Sequence, residues 1–331
     1  MRCKSATHRA NRKGGRVILH TSTFILGCAL AVAVGAQQYP SRPVRIVAPF
    51  APGGSADTLG RMVAERLSVR FKQNFVVDNR PGAGGIVGSE LVAASAPDGY
   101  TLLVSGIASH AIAPAMSKVS FDPVTSFTHI ALFGGPPIIA VVHAGVDAKS
   151  LAQFVSLSKS MPQGFSYGSP GPGTNGHLVA ELFRARSGAN LVHVPYKGAA
   201  LAMIDLVGGH IPACFNTLST AAPHVKSGRA RALAHSAQRR VTSFPDVPTF
   251  IESGYKDLVA TTWFSLSGPA GIPPAVSRSL NAAVREALAA PELRERLAAE
   301  GIEPNDLDPG GFTRFVRTEV ARWAPIAKVA K

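Results

Sequence analysis

Residues 39–67, YPSRPVRIVAPFAPGGSADTLGRMVAERL, decide the fold. Val44 to Ala48 is short and rich in β-branched residues, which predicts a strand. Leu59, Met62, Val63 and Leu67 then recur at the three- and four-residue spacing of one helical face. Between them runs Ala51-Pro52-Gly53-Gly54-Ser55-Ala56-Asp57, a glycine turn closing on residue types that cap helices. The unit is strand, glycine loop, helix.

The same unit recurs downstream. Phe75 to Val77 reads as a strand, Ile86 to about Ala94 as a helix, and Tyr100 to Val104 as a third strand. Such alternation predicts an α/β fold with a largely parallel sheet covered on both faces. Ile130 to Val142 is two apolar runs broken by Gly134-Gly135-Pro136-Pro137, read as a strand leaving a first lobe and a strand entering a second. A second cycle follows: a helix over 151–159, a strand over 165–168, a helix over 175–185, a strand over 191–194, a helix over 201–207, and strands at 211–215 and 231–234. The tail returns to helices, with Val276, Leu280, Val284 and Leu288 on one face and Phe312, Phe315 or Val316, Val320 and Trp323 on another. No linker divides the lobes, so they are expected to join through two strand-like crossings, near 138–142 and 258–264.

With 46% hydrophobic and 16% charged residues in 331, the chain is a well-buried globular protein and not a disordered one. Its +14 formal charge suggests nucleic acid or lipid until the charge is located. Six of the 34 Lys and Arg, and no acid, fall in the first 36 residues; the rest carries 28 against 20 acids, or +8. No later basic run exceeds Arg239-Arg240, so no nucleic-acid partner is expected, and the mild positive surface suits a small anion. The apolar run Phe24 to Val34 followed by Val34-Gly35-Ala36 reads as a secretory leader cleaved after Ala36, which predicts a periplasmic protein. Ile25-Leu26-Gly27-Cys28 only loosely matches a lipoprotein box, because Leu26 fits poorly and apolar residues continue past Cys28. Cys214 alone remains in the mature chain and reads as a core residue; no disulfide, metal site or cofactor is implied.

Two further loops repeat the design of the first: Arg80-Pro81-Gly82-Ala83-Gly84-Gly85 and Ser169-Pro170-Gly171-Pro172-Gly173-Thr174-Asn175. Glycine lets consecutive backbone N–H groups approach a ligand, and a helix start adds unpaired donors with a partial positive charge. Together these make an anion site without Lys or Arg. Each loop by itself reads first as an ordinary capping turn, with Ser55, Asp57, Thr174 or Asn175 as the cap; three of one kind, split between two lobes, bring the anion reading level with it. The enzyme classes fit less well. There is no GxxxxGK[ST] loop, and Gly88 falls one place beyond the dinucleotide pattern. Ser169 follows Gly168 directly, so no G-x-S-x-G elbow exists, and a hydrolase using Ser169 or Ser55 lacks an evident base and acid. His177 and Glu181 share a helix face without a second histidine to complete a zinc site, and His177 reads as ordering its loop. Lys197 in VPYKG fits either a cleft cation or a solvated turn.

Seven segments in order, YPSRPVRIVAPFAPGGSAD (39–57), VVDNRPGAGGIVG (76–88), DGYTLLV (98–104), YGSPGPGTNGHL (167–178), VHVPYKG (192–198), PDVPTFIESGY (245–255) and WFSLSGPAGIP (263–273), resemble the Bug family, the periplasmic solute receptors of tripartite tricarboxylate transporters. The resemblance covers nearly the whole mature chain. It implies a two-lobed Venus-flytrap fold of the type II kind, with a ligand cleft between the lobes. The first lobe is expected over 37–140 and 261–331, the second over 141–260, and residues 1–36 as leader. It implies a non-enzymatic receptor that closes on a small carboxylate, works with transporter membrane subunits, and is a monomer; an orphan sensor built on the same pocket is the alternative. By motif the site falls on Phe50, Pro52, Gly53, Gly54, Ser55 and Asp57, on Gly82, Ala83, Gly84 and Gly85, and on Ser169, Gly173, Thr174, Asn175 and His177. Lys197, Asn216 and Thr217 are added to it. Where the family often has an acid after the strand ending at Phe215, this chain has Asn216-Thr217, which weakens an amino-acid ligand and favours simple or hydroxylated carboxylates.

Overall fold

The structure, a computed structural model, describes residues 39–329. The expected leader, its cleavage after Ala36 and the box at Cys28 lie outside the described residues. In chain order the first part contains β1 (Val44–Ala48), α1 (Ser55–Phe71), β2 (Phe75–Asn79), α2 (Ile86–Ala93), β3 (Thr101–Gly106), the short α3 (Ala113–Met116) and β4 (Phe127–Gly134). Next come β5 (Ile138–His143), α4 (Leu151–Lys159), β6 (Phe165–Ser169), α5 (Asn175–Ser187), β7 (Leu191–Pro195), α6 (Ala199–Val207), β8 (Ala213–Thr217), α7 (Leu218–Lys226) and β9 (Ala230–His235). The chain ends with β10 (Phe264–Pro269), α8 (Pro274–Ala289), α9 (Pro291–Ala299) and α10 (Pro309–Val329).

The strands form two sheets, ordered β2-β1-β3-β10-β4 and β7-β6-β8-β5-β9. In each, four strands run one way and one is reversed. The reversed strand is in both cases the one that has just crossed from the other sheet: β10 in the first, β5 in the second. This reciprocal exchange is the two-lobed, type II arrangement that the resemblance implies.

Both sheets are covered on two faces, and the period-two alternation of each strand says by what. Val44 and Ile46 of β1 face Leu59, Val63 and Leu67 of α1 and Leu280 and Val284 of α8. Val47, one residue on, faces Ile86 and Val92 of α2 and Phe127 instead. In the second sheet Ile139 and Val141 of β5 lie with Met203 and Leu206 of α6, while Ala140 and Val142 lie with Phe154 of α4 and Phe183 of α5. Each such side chain, fully buried, contributes about 1.5–3 kcal/mol. The second of these cores runs on through Trp263 to Phe312 and Val316 of α10, so the C-terminal helix braces the junction of the lobes. Cys214 is fully enclosed, and burial pushes its thiol up to about 12.

The two crossings lie against each other. Residues 138–142, expected at a crossing, are β5 itself, and the chain changes sheets over Gly135-Pro136-Pro137. Pro137 bridges Thr261 of the return crossing, and Thr262 N–H donates to the Pro136 carbonyl at 3.0 Å. A Cβ on Gly135 would sit 2.2 Å from the Thr262 carbonyl oxygen. Only glycine lets these two backbones run so close.

Buried imidazoles make the fold sensitive to acid. Burial pushes His129 and His235 down to about 4, and both are almost wholly enclosed. In the unfolded chain a histidine titrates near about 6.5. Between those values the unfolded state binds the extra protons, so the stability that the neutral rings contribute is full above about pH 6.5 and is lost as pH falls toward about 4. Melting at pH 5 is expected to show a loss of roughly 2 kcal/mol per histidine relative to pH 7.5. A melting temperature unchanged between these two pH values would show that neither ring is held neutral.

Candidate ligand-binding site

At the carboxyl ends of β1, β3, β6 and β8 the lobes enclose a cavity of about 510 Å³, counting its mouth. Open α/β sheets place ligands at this edge because the helices begin there. One wall comes from the first lobe: Phe50, Gly54, Ser55 and Ala56 at the start of α1, and Gly106, Ile107 and Ala108 after β3. The second lobe supplies Pro170, Thr174, Asn175 and Gly176 at the start of α5, Ala199 at the start of α6, and Thr217 before α7. Ile138, Thr262 and Phe264, at the crossings, complete it.

Ser55 is the polar centre of the closure. Its hydroxyl crosses to the second lobe and meets Thr217 at 2.7 Å, Ser219 at 2.5 Å and Thr220 at 3.2 Å. Ala51 N–H donates to the Lys197 carbonyl at 3.2 Å, a second bond between the lobes. Among the described residues, no acceptor of the chain takes the backbone N–H of Ser55, Ala56, Asn175 or Gly176. These four are the first-turn donors that helix geometry leaves over in α1 and α5. The two helix starts differ in charge. Asp57 sits in the first turn of α1, whereas α5 has no acid in its first turn.

Of the residues singled out from the sequence, Phe50, Gly54, Ser55, Thr174, Asn175 and Thr217 line the cavity. The others surround it or point away. Pro52 and Gly53 are exposed, and the Gly53 N–H donates to Asp57 at 3.0 Å. Burial works against the Asp57 carboxylate, but Arg61, the Gly53 N–H and Asn79 together hold it below the usual range. Asp57, itself paired with Arg61, thus shapes the loop that leads into α1. Gly82 to Gly85, with Ala83 also at positive φ, form a tight turn whose Gly84 packs on Pro172 and Ala113. Gly173 lies against Ala113 from the opposite lobe. Thr174 caps α5, donating to the Gly171 carbonyl at 2.6 Å and accepting from His177 N–H at 3.4 Å. The Lys197 side chain is exposed and outside the lining. Asn216 gives its amide to the Ala199 carbonyl at 2.8 Å and accepts from Thr217 N–H, so it holds α6 and does not face the cavity.

Ser169 has a base beside it that the sequence did not reveal. His193 Nε2 lies 2.7 Å from the Ser169 hydroxyl, and its ring stacks on His177 at 4.4 Å and on Tyr167 at 5.0 Å. The pairing follows from the parallel register of β6 and β7, which sets Tyr167 opposite His193. Ser169 is nevertheless fully buried and accepts from Gly171 N–H at 3.1 Å, with no acid bonded to His193 among the described residues. Burial pushes His193 down to about 4. The serine is enclosed by its own loop and offers no attacking face.

Two lobes sharing reversed strands around a cavity of helix starts define a solute-binding receptor. The chain belongs to the family described as the tripartite tricarboxylate transporter family receptor, whose model matches residues 59–331. Its members are periplasmic solute receptors and not enzymes. Among curated proteins, BugT of Bordetella pertussis is 34% identical over 316 residues, 95% of this chain and 97% of that protein. The solved periplasmic binding protein BugD is 32% identical with a TM-score of 0.84, covering 88% of this chain and 98% of BugD. MatC from Rhodopseudomonas palustris, solved with malate, has a TM-score of 0.83 at 30% identity over 87% of this chain and all of MatC. An R. palustris protein solved with adipate has a TM-score of 0.85 at 33% identity, over 88% of this chain and 98% of that one. No helix among the described residues is long and apolar enough to cross a membrane.

Proposed function

We propose that this protein is exported to the periplasm, with its leader cleaved after Ala36, and works there as a monomer. It captures a small carboxylate by closing its lobes and presents it to the membrane subunits of a tripartite tricarboxylate-type transporter. The observation that carries the reading is the meeting of helix starts from both lobes on one cavity, with four backbone donors free to bind an anion. Hydrogen bonds to a charged group contribute roughly 1.5–3 kcal/mol each. Four therefore cover micromolar capture, about −8 kcal/mol, once the costs of association are met. Relatives solved with adipate and malate support a carboxylate.

In this reading Ser55, Thr174, Asn175 and Thr217 stand at the solute with Phe50 and Gly54, and the remaining loop residues hold them in place. A solute that touches both lobes favours the closed form because only there are all its contacts made. Thermal-shift titration of the processed protein against mono-, di- and tricarboxylates and amino acids tests this directly. A carboxylate is expected to raise the melting temperature by several degrees, and a panel with no active carboxylate would refute the reading. Ser55→Ala removes the hydroxyl bonds between the lobes and should weaken capture about three- to tenfold, near 1 kcal/mol for the net loss. Unchanged affinity in Ser55→Ala would place closure on other contacts.

A further inference from the structure

The structure assigns to His193 the positioning of the second-lobe wall: from outside the cavity, its imidazole fixes the loop over 169–175 that presents Pro170, Thr174 and Asn175 to the solute. The inference rests on the reading of this cavity as the solute site and adds to it a residue that does not touch the solute. His193 belongs to β7, the edge strand of the second sheet, and does not line the cavity.

Ser169 Oγ accepts the Gly171 N–H at 3.1 Å, so its own proton has two acceptors within reach. One is His193 Nε2 at 2.7 Å; the other is the Gly171 carbonyl at 3.5 Å. That carbonyl already receives the Thr174 hydroxyl at 2.6 Å and the Thr174 N–H at 3.3 Å. The proton therefore goes to the imidazole, which burial keeps neutral and whose own proton sits on Nδ1. The bonds run in one line: Ser169 to His193, the Gly171 N–H to Ser169, Thr174 to the Gly171 carbonyl, and the His177 N–H to Thr174. The end of β7 presses on the same loop. Tyr196 N–H donates to the Ser169 carbonyl at 3.2 Å, and a Cβ on Gly171, at φ +126°, would sit 2.5 Å from the Tyr196 carbonyl oxygen.

The ring is itself held. It stacks on His177 at 4.4 Å and on Tyr167 at 5.0 Å. The Tyr167 hydroxyl donates to Glu181 at 2.6 Å, and the other Glu181 oxygen takes Arg184 at 2.9 Å. Without the imidazole nitrogen, the buried Ser169 hydroxyl must turn to the Gly171 carbonyl and compete there with Thr174. Thr174 caps α5, so the disturbance passes to the helix start whose N–H groups face the cavity.

Two substitutions separate the bond from the packing. His193→Phe keeps a ring for the stack and removes the acceptor, whereas His193→Gln keeps a hydrogen-bonding end and removes the ring. Amide hydrogen exchange of the processed protein over residues 170–178, with no solute added, is expected to quicken about three- to tenfold in His193→Phe and to stay within about twofold in His193→Gln. Packing alone predicts the reverse order. Ser169→Ala deletes the other partner and should quicken exchange as His193→Phe does, with no further gain in the double variant. Calorimetric titration with malate and adipate should show the same order, His193→Phe weaker by about three- to tenfold and His193→Gln near the parent protein. Unchanged exchange in His193→Phe, faster exchange in His193→Gln than in His193→Phe, additive effects in the double variant, or equal affinity of parent and His193→Phe for a probe that binds would each overturn the inference. Exchange behaving as expected while no carboxylate of the panel above binds would support the role of His193 and refute the carboxylate reading alone.

Discussion

Replacing Gly173 with valine is expected to raise the dissociation constant for the solute, on our proposal a carboxylate, by at least about a hundredfold, about 2.7 kcal/mol. Gly173 holds φ of +73°, where a β-branched residue is strained by about 1–2 kcal/mol. Its Cβ would stand 2.8 Å from the Ala113 Cβ and 2.9 Å from the Ala113 Cα. A backbone carbon cannot swing aside as a long side chain can. Because Ala113 belongs to the first lobe and Gly173 to the second, opening relieves the clash, and most of the penalty falls on the closed form that holds the solute. Gly228→Val is the control: Gly228 has nearly the same φ, +72°, and nothing within 4 Å of its Cβ. That variant should lose about 1–2 kcal/mol of stability to strain and keep its affinity. Calorimetric titration of both reads the difference, and equal affinities for the two variants would remove the interlobe contact from the mechanism.

Glu319→Ala carries the largest expected loss of stability. Glu319, on α10, is 8% exposed, and its Oε2 accepts from the Trp263 indole at 2.9 Å and the Trp323 indole at 3.0 Å. Alanine leaves two buried N–H donors without an acceptor, at about 1–3 kcal/mol each. A total of about 3–5 kcal/mol corresponds to roughly 5–10 °C in melting temperature for a protein of this size. Glu319→Gln retains one carbonyl acceptor and should lose less than half as much. Differential scanning calorimetry of the two variants provides the comparison; a shift of one or two degrees in the alanine variant would show the carboxylate is dispensable to the junction.

Much of this architecture could be read from local pattern. The β-branched run at Val44 to Ala48 and the helical spacing from Leu59 to Leu67 are local properties, and they survive folding as β1 and α1. Glycine loops ahead of helices also located two of the cavity walls, because helix starts gather at one sheet edge whatever the lobes do. The rest depends on non-local contacts. Ile138, Thr262 and Phe264 read as apolar or crossing residues, since periodicity reports burial and not which surface is touched. Gly106 to Ala108 has no glycine cluster to mark it, yet lines the cavity because β3 ends there. Asn216 follows the opposite path: alternation along β8 turns it, with Cys214, toward α6 and away from the solute. The Ser169–His193 pair required the β6–β7 register, which no single strand encodes.

The placement of Glu319 also determines what light the molecule emits. Trp263 and Trp323 are the only tryptophans in the sequence, and one carboxylate holds both at the return crossing. Excitation at the red edge of indole absorption therefore samples that junction and nothing else in the chain. A wavelength or lifetime change on adding a solute is a signal from the pivot of the two lobes, obtained without any attached dye. The glycine loops proposed to hold the solute contain no tryptophan and stay silent, so emission separates movement of the pivot from occupancy of the cavity.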